Sequence, residues 1–325
     1  MKNILILNAG TRNKLVRYFK HELHNNAKVI ATDSYYLAPA IYEADKYYVT
    51  SNFRAEGYWD NIEKICDDEN VGLIVSLIDP ELEELALRRE RFEKKGILLN
   101  SADYSKIHDC FDKMNTIKFL KDNGFPYIKS YTSLSDAEKA LASGDVGFPL
   151  FMKPRCGSGS AGIQKIENLT QLKNGCAVSE DYMIQEFMPG QELGVDVYVD
   201  LISNEVCGVF VKKKLKMRAG ETDKSISFKD EKLFDTIVRF AKEYGLRGAN
   251  DVDVFEKNGE YYISEVNPRF GGGYLHAYEC GVNFPKFLIN NMCGIQNTPD
   301  VGNYKEGVYM MKFFDVKIMR EKDDI

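Results

Sequence analysis

No CxxC spacing occurs among the seven cysteines, at 66, 110, 156, 176, 207, 280 and 293. They are odd in number and scattered, which argues against a zinc site and a disulfide framework and makes a reducing cytoplasm the expected location. No apolar stretch approaches the ~18 residues of a membrane span. The run ILIL after Met1 and Lys2 stops at Asn8, too short for a signal peptide, so neither export nor membrane insertion is expected. A basic excess is missing too. Lys and Arg number 43 against 49 Asp and Glu, a net charge of -6 mixed along the whole length. That excludes a general nucleic-acid or membrane-surface binder and leaves small molecules as the expected partners. Internal repeats and low-complexity segments are absent. What is present is an ordinary globular composition, 44% hydrophobic and 28% charged over 325 residues, enough for a sizeable core in two or three domains or subdomains.

The first hundred residues alternate short apolar runs (NILIL, AKVIAT, KYYVT, GLIVSLI, ILLNS) with amphipathic stretches such as KLVRYFKHEL and YWDNIEKICDDE. This predicts a small parallel α/β, Rossmann-like domain over 1–103. Its first turn, NAGTRNK, follows a strand and precedes a helix, and Asp33 ends the second strand, as in a dinucleotide-binding half. The glycine fingerprint is missing, with only Gly10 present, so a scaffold or substrate domain is expected rather than an NAD site.

From Asp103 to Asn123 the pattern predicts one helix closed by Gly124 and Pro126, and a second domain, 104–325, begins there. Its strand signals, FPLFMKP (148–154), SAGIQKI (160–166), YMIQEFM (182–188), ELGVDVYVD (192–200) and EVCGVFVKKKL (205–215), read as mostly antiparallel α+β. The basic run KKKLKMRAGETDK (212–224) is expected to loop over the site and bring Lys212, Lys214, Arg218 or Lys224 to a substrate carboxylate or phosphate. MREKDDI reads as a solvated tail.

Chemistry concentrates in NDVDVFEKNGEYYISEVNPRFGGG. Two strand-like runs meet at Asn258-Gly259. A two-residue turn would put Asp253 opposite Ser264; a three-residue loop with a glycine bulge keeps Asp251, Asp253, Glu265 and Asn267 on one face, and the odd-length loop is the expectation. Two carboxylates ~4 Å apart repel by roughly 4 kcal/mol at an effective dielectric of ~20, so such a face calls for a cation. Magnesium fits, because it takes oxygen ligands, one or two of them protein carboxylates, and completes its shell with water and phosphates. Asp251 also reads as an ordinary edge residue.

Phosphates need amides and lysines, and FPLFMKPRCGSGSAG offers Lys153 at the end of an apolar strand before Gly157, Ser158, Gly159, Ser160 and Gly162. It is not a Walker loop, since no GK[ST] follows. Cys156 beside it is read as a passive small residue. In YMIQEFMPGQE, the strand end Gln185, Glu186, Phe187, Met188 can offer adenine a carbonyl and an amide, with Glu192 within reach of a ribose.

Together Lys113, Lys153 with its glycine loop, QEFMPGQE, DVDVF and SEVNPR resemble the ATP-grasp superfamily, most closely the carbamoyl-phosphate-synthase-like branch as a single module. The resemblance covers nearly the whole chain. It implies a pre-ATP-grasp domain followed by two α+β subdomains that clasp ATP, with a lid at about 126–188. It implies Lys113 and Lys153 on the α- and β-phosphates and the 157–162 loop over them. Glu186 and Met188 would frame adenine, Glu192 would hold the ribose, and Asp253, Glu265 and Asn267 would ligate two Mg2+ (or Mn2+) ions. Arg269, with Lys153, would stabilise the transferring phosphoryl group. The length allows one such unit and no amidotransferase, so carbamoyl phosphate is not the expected product. Asp253 has a shorter reach than the Glu or Gln more usual there.

The implied activity is an ATP-dependent carboxylate-amine ligase that releases ADP and phosphate. Its partners would be a small carboxylate and an amine, with a homodimer as the expected assembly. An ATP-binding sensor or inactive module, and an NAD-dependent oxidoreductase, are the other readings. Acceptor specificity is expected in TRNK (11–14), IDPE (78–81) and GGGYLHAYE (271–279); His276 is read as a packed or surface histidine.

Overall fold

The computed structural model describes residues 1–157, 162–178 and 181–320. The N-terminal part is a five-stranded parallel sheet, β1 (Asn3–Leu7), β2 (Val29–Asp33), β3 (Lys46–Val49), β4 (Val71–Ser76) and β5 (Leu98–Leu99), in the order β3-β2-β1-β4-β5. β2 and β4 are buried throughout and β1 nearly so, which is why they read as continuous rather than alternating apolar runs. The order reverses between β1 and β4, so a crevice opens at their carboxyl ends, where Asn8–Arg12 and Leu77–Pro80 lie.

Glu81 sits under that crevice, fully buried, and accepts hydrogen bonds from Asn8, Ser76 and Tyr58. Burial outweighs these donors and pushes its carboxyl from the usual 4.5 up to about 7. Between these values the folded protein holds a proton that the unfolded chain has released, so stability falls as pH rises through that window. The cost is about 3 kcal/mol at roughly 1.4 kcal/mol per unit. Glu81→Gln should remove this slope. Denaturant titrations at about pH 5 and about pH 8 would show the wild type losing more stability than the variant, and parallel losses would refute it.

The predicted single helix at 103–123 is two, Tyr104–Phe111 and Lys113–Asp122, broken at Asp112. Asp112 has extended backbone angles, caps the second helix by accepting from Met114 N at 3.0 Å, and is gripped by both arms of the Arg155 guanidinium. The interruption delivers Lys113 to the site.

A four-stranded sheet follows, β6 (Ser130–Tyr131), β7 (Leu150–Pro154), β8 (Gln164–Ile166) and β9 (Tyr182–Glu186), ordered β6-β9-β7-β8. It has its own small core around Ala137, Leu150, Ile166, Leu172 and Ile184. A larger six-stranded sheet comprises β10 (Gln191–Val199), β11 (Val206–Arg218), β12 (Glu221–Phe228), β13 (Gly248–Lys257), β14 (Glu260–Asn267) and β15 (Tyr309–Met311), ordered β14-β13-β10-β11-β12-β15. The helix Glu231–Tyr244 backs it. Asp230 caps its start by accepting from Leu233 N at 2.9 Å, Gly245 ends it at φ 85°, and Leu233, Ile237, Phe240 and Tyr244 form its buried stripe. One continuous core runs from Ile4, Val16 and Phe19 to Val195, Phe210 and Ile237, so the parallel sheet and the six-stranded sheet pack as one body.

Candidate active site

The hairpin β13–β14 turns through Asn258 and Gly259, at φ 57° and 74°, with Lys257 opposite Glu260. This is a two-residue turn, as Asn-Gly strongly favours, and it corrects the expected odd-length loop. The common face survives for another reason. Ser264 is an extra residue in β14: Val254 pairs with Ile263, but Asp253 pairs with Glu265 and Asp251 with Asn267. The Ser264 hydroxyl bonds the Asp253 carbonyl at 3.2 Å. The apolar spacing records the slip, since Tyr261 and Ile263 are two apart and Val266 comes three later.

Pairing carries this face across the sheet in rows. Asp196 of β10, Asp251 and Asn267 form one row; Lys212 of β11, Gly194, Asp253 and Glu265 form the next; Glu192 and Phe255 begin a third. The bare Gly194 leaves space for the stems of Lys212 and Lys214, whose Cε atoms lie 3.1 and 3.2 Å from where a Cβ would be. The expected basic loop is therefore a correction: 212–224 is mostly the β11–β12 hairpin, held in strands by pairing with β10 and the turn at Ala219-Gly220. Lys214 bridges Glu192 at 2.8 Å and Asp253 at 2.6 Å, and these carboxylates hold its ammonium above the ordinary lysine range despite burial. Lys212 is buried on Asp196, whose carboxyl burial raises to about 6. Arg218 lies over Phe314, Lys224 bonds the Lys312 carbonyl, and His276 packs against Ser225 and Phe210, its pKa lowered by burial to about 4; none of these three lines the cavity.

Five carboxylates on this face, Glu192, Asp196, Asp251, Asp253 and Glu265, outnumber the sheet's own Lys212 and Lys214, with Lys113 and Lys153 approaching Glu265 from outside the sheet. The imbalance shows in the chemistry. Burial first, and Asp253 second, raise the Asp251 carboxyl; burial raises Glu265, with Lys113 at 3.5 Å opposing it. A divalent ion fits such a face, and Asp253, Glu265 and the Asn267 amide are the oxygens that would hold it. Among the described residues no group of three His, Cys, Asp or Glu side chains is arranged to hold a metal, so phosphate or water oxygens would have to complete the shell.

The three glycines after the hairpin are explained by close approach. A Cβ at Gly271 would fall 2.4 Å from the Asp251 carboxylate carbon, one at Gly272 2.4 Å from that of Glu221, and one at Gly273 2.7 Å from the Lys212 Cε. Arg269, its side chain 13% exposed, turns back to the first domain, where its Nε lies 2.7 Å and its Nη2 2.8 Å from the two oxygens of Asp79. That pairing was not anticipated, although IDPE was singled out; strand-end position at the β1/β4 crevice is the signal that points to it.

A cavity of about 510 Å3 joins these groups. Its walls include Lys153, Gln185, Glu186, Met188, Glu192, Asp253, Glu265, Asn267 and Arg269. Lys153 hangs from the small sheet, where burial lowers its pKa and Glu265 counters that effect. Lys113 stands behind the wall, donating to the Gly157 carbonyl at 2.6 Å. Gly157 has φ 118° and Gly162 φ 74°, conformations suited to glycine; Ser158, Gly159 and Ser160 lie outside the described residues. Gln185 bonds Ser130, Glu186 is paired to Lys257 at 2.7 Å, and Phe187 packs on Phe151 outside the cavity wall. In the first domain the Asp33 carboxylate accepts from the Gly10 and Tyr35 amides, one on each oxygen.

Comparison with known proteins bears on the family and the fold. A family model described as a PylC-like N-terminal domain matches residues 4–99, and one described as an ATP-grasp domain matches 110–273. A D-alanine–D-alanine ligase of Thermotoga petrophila is 26% identical over 191 residues, 53% of this chain and 61% of the relative. The arginine-specific carbamoyl phosphate synthase large chain of Geobacillus stearothermophilus is 22% identical over 188 residues, 54% of this chain and 18% of that one. The chain therefore spans less than two thirds of either relative. The biotin carboxylase domain of Hydrogenobacter thermophilus 2-oxoglutarate carboxylase, solved as a dimer with MgADP, ADP and bicarbonate, superposes with a TM-score of 0.75 at 16% identity, over 95% of this chain and 73% of that one, a likeness of fold. Half of the chain lies within the 110–273 match, and that stretch supplies the acid-rich hairpin, the lysines and the strand end around one cavity: the protein belongs to the ATP-grasp family.

Proposed function

We propose that the protein is an ADP-forming ligase that joins a carboxylate to an amine, using ATP and Mg2+ (or Mn2+). One observation carries this reading: Lys153 of β7, Glu192 of β10, Asp253 of β13, Glu265 and Asn267 of β14, and Arg269 just after it line one cavity. The likeness to a D-alanine–D-alanine ligase and to a MgADP-bound biotin carboxylase domain supports it. The units are 1–103 and 104–325, with the segment at about 126–188 as the lid. No described helix is long and apolar enough to cross a membrane, and the dimeric neighbour supports a homodimer; the cytoplasm remains the proposed location.

Gln185, Glu186 and Met188 would receive adenine and Glu192 the ribose. Lys113 and Lys153 would neutralise the inner phosphates. Asp253, Glu265 and Asn267 would hold the metal, which neutralises phosphate charge when bound. A substrate carboxylate oxygen forms a bond to the γ-phosphorus as the β–γ bridging bond breaks and ADP leaves. The neutral amine nitrogen then bonds the acyl carbon, the carbon–oxygen bond to phosphate breaks, and the nitrogen gives up a proton. Arg269, oriented by Asp79, would face the charge that builds on the phosphoryl oxygens, and the lid would exclude the water that competes with the amine. No protein nucleophile is needed.

Thermal-shift titration should show a rise in Tm with ATP and magnesium and little with NAD. A larger rise with NAD would overturn the reading. An ADP-release screen over carboxylate and amine pairs identifies the substrates.

A further inference from the structure

The proposed mechanism leaves one charged corner of the cavity unused. Arg12, in the turn after β1, places Nη2 2.6 Å from Oε1 of Glu221, the first residue of β12, and Lys312 reaches Oε2 of the same carboxylate at 2.9 Å. Arg12 and Glu221 both line the cavity beside the apolar Leu77, Ile78 and Pro80. Their side chains are 26% and 39% exposed, so the pair faces the space rather than the core. Nor is it a chance surface contact. Gly272 has no room for a side chain because Glu221 and the Arg12 Nη1 occupy it, at 2.5 and 2.8 Å from the Cβ position.

We propose that this corner is an amino-acid subsite of the ligase, in which Glu221 binds the ammonium of the carboxylate donor and Arg12 binds the carboxylate of the amine acceptor. The inference rests on the function proposed above. The division of roles follows from reactivity. An ammonium held by a carboxylate is not a nucleophile, so it belongs to the molecule whose carboxylate is activated at the Arg269 end. A carboxylate held by a guanidinium at this end is not the one phosphorylated, so it belongs to the acceptor, whose amine stays free. Two features suit the corner to exchange. Lys312 keeps Glu221 paired when Arg12 turns to an incoming carboxylate, and the two cations hold the Glu221 carboxyl below its usual range, ionised and ready for an ammonium. An apolar group would strip water from an ion pair without replacing its partners.

The test uses the full-length protein with Mg·ATP and measures ADP release with free L- and D-amino acids, singly and in pairs, against their N-acetyl derivatives and amides. Free amino acids should stimulate release. N-Acetylation should abolish function as a donor and amidation should impair function as an acceptor. Glu221→Gln should raise the donor KM and Arg12→Gln the acceptor KM, each by about 10-fold or more, with the Kd for ATP unchanged. If ATP binds but free amino acids do no better than their blocked forms, the subsite is refuted while the ligase reading stands. If Mg·ATP does not bind, the ligase reading fails and takes the subsite with it. The comparison of free and blocked amino acids needs no variant, so misfolding cannot obscure it.

Discussion

Glu265→Gln is expected to lower ADP release by at least ~10^2-fold, the scale of losing one preorganised charge in a phosphoryl-transfer site, while changing the fold little. The carboxylate stands opposite Asp253 across the ribbon and is the anion facing both Lys113, at 3.5 Å, and Lys153. Neutralising it removes the negative charge from a proposed metal ligand and the charge that favours a protonated Lys153, whose pKa burial already lowers. Both losses act on the phosphoryl groups. Lys153→Ala should be comparably severe, and the double variant no worse than roughly the poorer single, because the two side chains serve one charge arrangement. Asp253→Asn is predicted to be milder, since Lys214 remains to neutralise Glu192 and to face the same space. The assay is single-turnover ADP formation beside ATP titration and circular dichroism. Full turnover in both Glu265→Gln and Lys153→Ala, with intact spectra, would remove the basis for the site.

The parallel first sheet and the antiparallel remainder were legible in the sequence because their apolar runs have different periods and lengths. So was the acid face of the hairpin, because Glu265, Asn267 and Arg269 alternate around Pro268. The route to that face was not. Asn258-Gly259 called for a two-residue turn, and only the bulge at Ser264 reconciles that turn with Asp253 facing Glu265; a bulge leaves just the two-then-three spacing of Tyr261, Ile263 and Val266 as its trace. The lysines of 212–214 read as part of a loop over the site because a basic run carries no strand signal of its own, yet their partners Asp196, Glu192 and Asp253 come from strands 16 to 39 positions away in sequence. The helix break at Asp112 was hidden likewise, since the Arg155 that secures it lies 43 positions on. Pairings at such separations have no local signature.

Asp79→Ala is expected to reduce turnover sharply, by ~10^2-fold or more, through the Arg269 it orients rather than through any contact of its own with the nucleotide. The ion pair is a polar joint between the first domain and the acid hairpin, with both side chains largely buried, one Asp79 oxygen accepting from Arg269 Nη2 and the other 2.7 Å from Nε. Removing one partner of a buried pair strands the other charge, at a cost of about 3–5 kcal/mol. Here Asp251 and Glu265 also attract the guanidinium, so the lower end is expected, and Arg269 should swing toward them and away from the position Asp79 imposes. Stability and catalysis then separate in a cycle. Asp79→Ala with Arg269→Met, which leaves no stranded charge, should regain much of the melting temperature lost by Asp79→Ala alone yet remain inactive. A structural joint with no part in catalysis would instead recover activity along with stability. If Asp79 acts only through the alignment of Arg269, the Kd for ATP should hold in every variant while kcat falls. A rise in that Kd matching the loss of turnover would show that Asp79 serves binding and not the alignment of Arg269.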